Sequence, residues 1–237
     1  MELKNLQMEE KKERVYILDN FRGIAFILMF ISHIFYFYDI SNDYQTDTAN
    51  GPITKYFGEI ARTTFIILAG FSVYMSYNNN KEENIIKRVK RSGEILIHAG
   101  LVSLVSYLLY PDNFVRFGIL HFIAIGTLLI SPLAPSTLFA IIVFLISLNF
   151  TYPQVNQVID TITGSNVYYN MMDYFPLNKW LPIMLIGLIT AQNIDVNKLK
   201  IPFLKDKSIL TTIGQNSLNL YTGHFVIFMM ISKIFHK

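Results

Sequence analysis

The stretch that decides the fold is VYILDNFRGIAFILMFISHIFYFYDI, residues 15–40. From Phe21 onward it is almost entirely apolar and aromatic, and it is longer than the roughly 20 residues that a membrane-spanning helix needs. Two ionisable side chains interrupt it, Arg22 near its start and His33 towards its end. Because ionisable groups are costly in hydrocarbon, each of them predicts a polar interior or a functional site.

The whole chain has the composition of a membrane protein. Of its 237 residues, 52% are hydrophobic and only 16% are charged, whereas soluble domains carry about 25% charged residues. The apolar runs are long and lack the alternation of membrane strands. With no cysteine in the chain, disulfides, thiolate catalysis and cysteine-ligated metals are excluded. We therefore expect an integral, multi-pass membrane protein, in the cell membrane if the organism is a prokaryote.

The apolar runs predict an all-α, polytopic membrane helix bundle of about seven transmembrane helices. Prolines in YPDN (110–113) and SPLAPS (131–136) separate neighbouring runs, since proline ends helices. We expect a polar cytoplasmic N-terminus over 1–14 and a single transmembrane domain over 15–237. The predicted spans are residues 17–38, 56–78, 92–110, 114–131, 134–150, 178–193 and 208–235.

Lysine and arginine are distributed unequally between the loops, which predicts the orientation. They cluster in 1–14, 78–93 and 194–207, which lie on one side if there are seven spans. The loops 39–55 and 150–177 carry mostly Asp, Asn, Gln and Thr. We therefore place the N-terminus in the cytoplasm. The basic loops fit contact with anionic lipid of the bilayer, or alternatively a site for an anionic cytoplasmic ligand.

With this topology, several polar side chains share one depth in the outer half of the bundle: His33, Glu59, Arg62, Arg116 and His121. Glu59 and Arg62 lie three residues apart on one helix face, where they can pair. Each residue also has a structural interpretation, as a hydrogen-bonding neighbour or a side chain that reaches the surface. Together they predict a polar cavity holding a base, an acid and an anion-binding group. His224 follows a polar stripe in the last span and is expected to face the same interior.

Five stretches, in order, carry a family resemblance: LDNFRGIAFILMFISH (18–33), RTTFIILAGFSVYMSY (62–77), RFGILHFIAIGTLL (116–129), and YFPLNKWLPIMLIGLITA (174–191) followed by IGQNSLNLYTGHFVI (213–227). They resemble the catalytic domain of the heparan-alpha-glucosaminide N-acetyltransferase family, within the wider group of transmembrane acyltransferases. The chain follows the small microbial pattern, with histidine at both positions 33 and 121.

The resemblance implies transfer of an acetyl group from cytoplasmic acetyl-CoA to a sugar or amino sugar outside. It implies a general base at His33 or His121, by direct transfer or through an acyl-histidine relay. CoA phosphates would be held at the inner face by three basic residues, Arg22, Lys87 and Arg88. The acidic residue Asp19 would orient Arg22. The acceptor would contact the outer cluster: Glu59, Arg62, Arg116 and His224.

An alternative from a different class remains open, a non-enzymatic transporter that uses the His/Arg/Glu cluster as a solute or proton path. No metal is expected, because no H-E-x-x-H or similar spacing is present. The expected partners are the lipid bilayer, a CoA thioester and an extracytoplasmic sugar, and no nucleic acid. A homo-oligomer is left open.

Overall fold

The structure is a computed structural model that describes residues 16–42, 47–79, 84–149, 161, 172–195, 204 and 206–235. Within these ranges the chain forms eight α-helices, a 3-10 turn at Ser131–Leu133 and no strand, only an isolated bridge between Phe117 and Tyr174. The predicted all-α membrane bundle is thereby confirmed. The helices are α1 (Tyr16–Ser41), α2 (Pro52–Asn79), α3 (Asn84–Leu109), α4 (Ile119–Ile130), α5 (Thr137–Asn149), α6 (Leu177–Asn193), α7 (Ile209–Gln215) and α8 (Ser217–Ile234).

Helices α1, α2 and α3 are long and apolar enough to cross a membrane, and α4 and α5 are shorter apolar helices. The predicted span 208–235 is wrong as one continuous helix, because the chain leaves helical geometry at Asn216, where φ is −100° and ψ is 9°. The predicted span 114–131 becomes helical only at Ile119. The total of seven spans therefore stays a prediction.

The bundle is centred on α1 and α2, which pack against each other. Helix α1 also contacts α7 and α8, α2 contacts α6, and α3 packs on α4 and α8. Helices α2 and α6 approach each other closely through a glycine on each helix. A Cβ on Gly70 of α2 would overlap the Met184 carbonyl, and a Cβ on Gly187 of α6 would overlap the Ile67 carbonyl. Small residues let membrane helices approach in this way.

A buried amide fixes α1 against the start of α7. The Asn20 side chain is fully buried. Its Nδ2 donates to the carbonyls of Leu204 (2.8 Å) and Asp206 (3.0 Å), and its Oδ1 accepts from the hydroxyls of Ser208 (2.9 Å) and Thr211 (2.7 Å). Two donors and two acceptors satisfy the whole amide. This contact holds α7 beside the segment of α1 that carries Asp19 and Arg22.

A short pairing between two loop segments completes the region before α4. The Met172 N–H donates to the Asn113 carbonyl (3.0 Å), and the Phe175 N–H donates to the Phe117 carbonyl (2.9 Å). Because the carbonyls of Asn113 and Phe117 bond to the 172–175 segment, this stretch is not helical, and α4 begins only at Ile119. The pairing also carries Asp173 to the N-terminus of α4.

Several sequence predictions fall outside the described residues. They are the polar N-terminus over 1–14 and most of the loops 150–177 and 194–207.

Candidate active site: two cavities that meet in the bundle

Two cavities formed by the described residues hold most of the predicted site residues. The first, the Arg22 cavity, has a volume of about 280 Å³ and polar lining residues that include Asp19, Arg22, Ser72, Arg88, Arg91 and Gln215. The second, the His33 cavity, has a volume of about 340 Å³ and polar lining residues that include His33, Lys55, Glu59, Arg62 and Asp173. Three side chains, Met29, Ile119 and Tyr221, line both.

The two cavities lie at different depths. Arg22 and His33 are on the same helix, eleven residues apart, which at 1.5 Å per residue is roughly 16 Å along the axis. Helix α2 has the opposite order: Glu59 and Arg62 near its start line the His33 cavity, and Ser72 near its end lines the Arg22 cavity. The pair of cavities is thus arranged along the helix axes, with Met29, Ile119 and Tyr221 between them.

The polar groups of the Arg22 cavity are connected to one another. The Arg22 guanidinium contacts the Asp19 carboxylate at 2.6 Å and donates to the Ser72 hydroxyl at 2.6 Å. The Gln215 amide donates to the other Asp19 oxygen at 3.2 Å. The carboxylate is buried, whereas the Arg22 side chain remains 26% exposed. Asp19 therefore orients a guanidinium that still faces the cavity.

Helix α3 contributes further cations to the same cavity. Arg88 is buried and donates to the carbonyls of Ser72 (3.1 Å) and Val73 (3.0 Å). Arg91 lies at the cavity and pairs with Glu94 at 2.9 Å, with both side chains about half exposed. Lys87 is exposed and does not line the cavity, since it points away from the helix face that carries Arg88.

In the His33 cavity, the central histidine is held by a second histidine. His33 Nδ1 lies 2.8 Å from His224 Nε2, with the rings stacked at 5.1 Å. His224 Nδ1 lies 2.8 Å from the Leu220 carbonyl, which can only accept, so this nitrogen carries the proton. Nε2 of a neutral His224 then accepts from His33 Nδ1–H. The network leaves the Nε2 lone pair of His33 available as a base.

His224 therefore has a different place from the one predicted. It does not line the His33 cavity. Its Nε2 contacts the Nδ1 of His33. It is one turn away from Tyr221, whose ring contacts both histidines edge to face. Its position suits a residue that orients His33 rather than one that touches the acceptor.

The predicted pair of Glu59 and Arg62 is loose. Arg62 Nη1 lies 3.7 Å from Glu59 Oε1, and the two side chains are 38% and 43% exposed, Arg62 first. Arg62 Nε donates to the Gly58 carbonyl at 3.1 Å, which directs the guanidinium along α2. Both side chains are left facing the cavity with much of their surface accessible.

Asp173 is a cavity residue that the sequence did not single out. Its carboxylate accepts the Ile119 N–H at 3.0 Å, at the N-terminus of α4. Burial raises the pKa of Asp173 to about 6, and the Ile119 N–H and the positive charge of Arg62 limit the rise. In the sequence, the only indication of this role is that Asp173 is an acidic residue directly before Tyr-Phe-Pro. The loop that contains it predicts only the topology.

His121 and Arg116 share the predicted depth but do not line either cavity. His121 Nδ1 accepts the Gly118 N–H at 3.3 Å, and its Nε2 lies 3.5 Å from the Ser103 hydroxyl on α3. Arg116 lies over the Phe114 ring, 4.2 Å from its centroid. The expected convergence of His33 with His121 is not seen, because His121 contacts the neighbouring α3 and the start of its own helix.

A buried carboxylate near the end of α1 holds the segment before α2 at the edge of the His33 cavity. Asp39 accepts the N–H groups of Thr48 (3.1 Å) and Ala49 (2.7 Å) and the Thr48 hydroxyl (2.6 Å). Ala49 and Asn50 then line the cavity.

Among the described residues no group of three or more His, Asp and Glu side chains is placed to hold a metal ion.

The long apolar helices and the buried polar cavities define an integral, multi-pass membrane protein. The family model described as heparan-alpha-glucosaminide N-acetyltransferase, catalytic, matches residues 14–226. The chain belongs to this family, and its general class is therefore that of a membrane acetyltransferase. No curated protein and no solved structure matches it.

Proposed function

We propose that the protein transfers an acetyl group from acetyl-CoA, bound at the Arg22 cavity, to a sugar or amino sugar in the His33 cavity. The observation that carries this proposal is that the two polar cavities share Met29, Ile119 and Tyr221 as walls. A donor and an acceptor entering from opposite ends would meet there. Neither substrate would have to cross the bundle.

The chemistry of the Arg22 cavity supports CoA as the donor. CoA carries phosphates, and guanidinium groups bind phosphate with directed hydrogen bonds. Arg22, Arg88 and Arg91 line this cavity. Asp19 and the Ser72 hydroxyl hold Arg22 in place before a ligand arrives, so less ordering is needed on binding.

The reaction step balances without a co-reactant. His33 Nε2 removes the proton from the acceptor hydroxyl or amine, whose oxygen or nitrogen bonds to the thioester carbonyl carbon. The carbon–sulfur bond then breaks, and the CoA sulfur takes the proton from His33. Acetylated acceptor and free CoA result. A relay would instead form acetyl-His33 as an intermediate, which mass spectrometry of enzyme quenched with acetyl-CoA alone would detect.

Transfer should be tested with detergent-solubilised protein, labelled acetyl-CoA and a panel of amino sugars and neutral sugars. We expect label to move to at least one sugar. CoA should also raise the melting temperature, because a ligand at about 100 times its Kd adds roughly 2.7 kcal/mol to stability. If no label is transferred and CoA does not stabilise the protein, the proposal is overturned. Movement of an unmodified sugar across vesicles without label transfer would favour a transporter.

We further propose that the Arg22 cavity faces the cytoplasm, supported by the basic segments at that end. The cysteine-free chain allows single-cysteine labelling. Lys87→Cys should be protected from an impermeant reagent added outside intact cells, and Asp47→Cys should be labelled. The opposite pattern would contradict the proposed sidedness.

A further inference from the structure

Tyr221 occupies the boundary between the two cavities. It lines both of them and is 94% buried, with 6% of its surface exposed. Its ring stacks on Phe225 at 5.8 Å and meets the ring of His33 edge to face at 6.1 Å. The ring is thus held by other rings, and the hydroxyl is its only polar atom.

The Tyr221 hydroxyl makes no hydrogen bond among the described residues, and it is not one of their fully buried unpartnered atoms, so its oxygen is open to the cavities that Tyr221 lines. Buried tyrosine hydroxyls usually have a hydrogen-bond partner, and the other tyrosine of the His33 cavity conforms, since the Tyr36 hydroxyl donates to the Met172 carbonyl at 3.3 Å. A donor on a firmly packed ring that opens onto a cavity without a protein partner is available to a ligand. In this position the ligand atom would be at the junction of the cavities.

We infer that the Tyr221 hydroxyl donates a hydrogen bond to the carbonyl oxygen of the acetyl group during transfer. The inference rests on the proposed function, because that function brings the thioester carbonyl to the junction. When the acceptor bonds to the carbonyl carbon, negative charge develops on the carbonyl oxygen. A donor already oriented in a water-poor site stabilises that charge more than it stabilises the bound thioester.

The geometry assigns separate tasks to two neighbouring groups. His33 Nε2 takes the proton of the acceptor, and Tyr221 lies beside it with its ring against His33. His224 contacts both residues, at 2.8 Å from His33 Nδ1 and with its ring centroid 5.6 Å from that of Tyr221. One turn of α8 therefore positions the oxyanion donor and orients the base.

The test is Tyr221→Phe, which removes the hydroxyl and retains the ring. Loss of a single oxyanion donor typically lowers kcat by about 10²–10³-fold. We expect a loss of this size with little change in the KM of either substrate and with full stabilisation by CoA. Tyr110→Phe is the matched control, because its hydroxyl bonds to Ser232 at 2.7 Å outside both cavities. It should transfer acetyl at the rate of the unmodified protein.

Equal kcat in Tyr221→Phe and the unmodified protein would overturn the inference and leave the proposed function intact. An inactive unmodified protein would overturn both. If Tyr221→Phe fails to fold, a fluorinated tyrosine at position 221 keeps ring and hydroxyl but makes the hydroxyl more acidic. At one fixed pH, kcat should then differ from that of the unmodified protein while stabilisation by CoA stays the same, and an unchanged kcat would overturn the inference.

Discussion

The acidic and basic side chains of the two cavities differ in how closely they pair and how deeply they are buried. In the Arg22 cavity, Asp19 and Arg22 are in contact at 2.6 Å, and Asp19 is almost fully buried. In the His33 cavity, Glu59 and Arg62 are 3.7 Å apart, and both side chains are about 40% exposed. Both pairs join residues three apart on a helix, so sequence spacing alone does not separate them.

Under the proposed function, the difference has a consequence for how each cavity binds its substrate. Tight pairing in the Arg22 cavity fixes the guanidinium before binding, which suits one invariant donor. Loose pairing in the His33 cavity leaves Glu59 and Arg62 able to adjust, which suits acceptors of varied hydroxyl arrangement. Within the His33 cavity the exception is His33 itself, which is held by His224. This suits the proposed role of His33, because a general base must be positioned accurately to act.

The largest expected effect separates His33 from His121. His33→Ala should lower turnover by about 10²–10⁴-fold, the usual loss for a general base. His121→Ala should leave the rate per folded molecule nearly unchanged, because His121 bonds to Gly118 and approaches Ser103 outside the cavities. Its expected effect is on the melting temperature. The measurement is initial rate normalised to folded protein for both variants.

A rate loss in His121→Ala equal to that in His33→Ala would contradict this assignment and restore a shared role for the two histidines.

His224→Ala tests whether His224 orients the proposed base, His33. It should lower kcat while leaving acceptor KM nearly unchanged, since His224 contacts His33 rather than the cavity. A rise in KM alone would instead indicate that His224 binds the acceptor.

The next largest effect concerns the Arg22 cavity, the proposed site of CoA. Arg22→Ala should weaken CoA binding by about 1.5–3 kcal/mol, the typical loss for a charge-assisted hydrogen bond, and acceptor binding should be nearly intact. Lys90→Ala is the control, because Lys90 is an exposed cation on α3 that does not line the cavity. Titration calorimetry measures both. Unchanged CoA affinity in a folded Arg22→Ala protein would mean that Asp19 and Arg22 only stabilise the start of α1.

A smaller, pH-dependent effect is expected at Asp173. Burial raises the pKa of Asp173 from 3.8 to about 6. Between these values the folded chain retains a proton that the unfolded chain has released, so the carboxylate destabilises the fold as pH rises through this window. Relative to Asp173→Asn, the unmodified protein should lose on the order of 2 kcal/mol from pH 4 to pH 7. Thermal unfolding of both proteins at each pH measures the difference, and parallel pH curves would contradict it.

The smallest effect is expected at Glu59. Glu59→Gln should change the free energy of unfolding by less than about 1 kcal/mol, because exposed ion pairs contribute little and this pair is long. Asp19→Asn should destabilise the fold more, since its carboxylate is buried and bonds to Arg22 and Gln215. Equal destabilisation by the two variants would remove the contrast between the cavities.

The sequence alone determined the membrane class, the family and the axial position of the polar groups within the predicted spans. Hydrophobic length predicts spans because the bilayer has a fixed thickness, and the position of a residue along a span specifies its depth. That reasoning placed His33, Glu59 and Arg62 together in depth, and the structure brings all three to one cavity. It also placed Arg22 in the other half of α1.

Only the tertiary structure decided which side of each helix faces which neighbour. Depth is set along the helix axis, but contact also requires the angular position of the residue and the order of helices around the bundle, which hydropathy does not encode. His121 has the predicted depth and faces α3, whereas His224 on α8 contacts His33. Asp173 reaches the cavity because the 172–175 segment pairs with the residues before α4, and such long-range pairing depends on the packed helices rather than on local sequence.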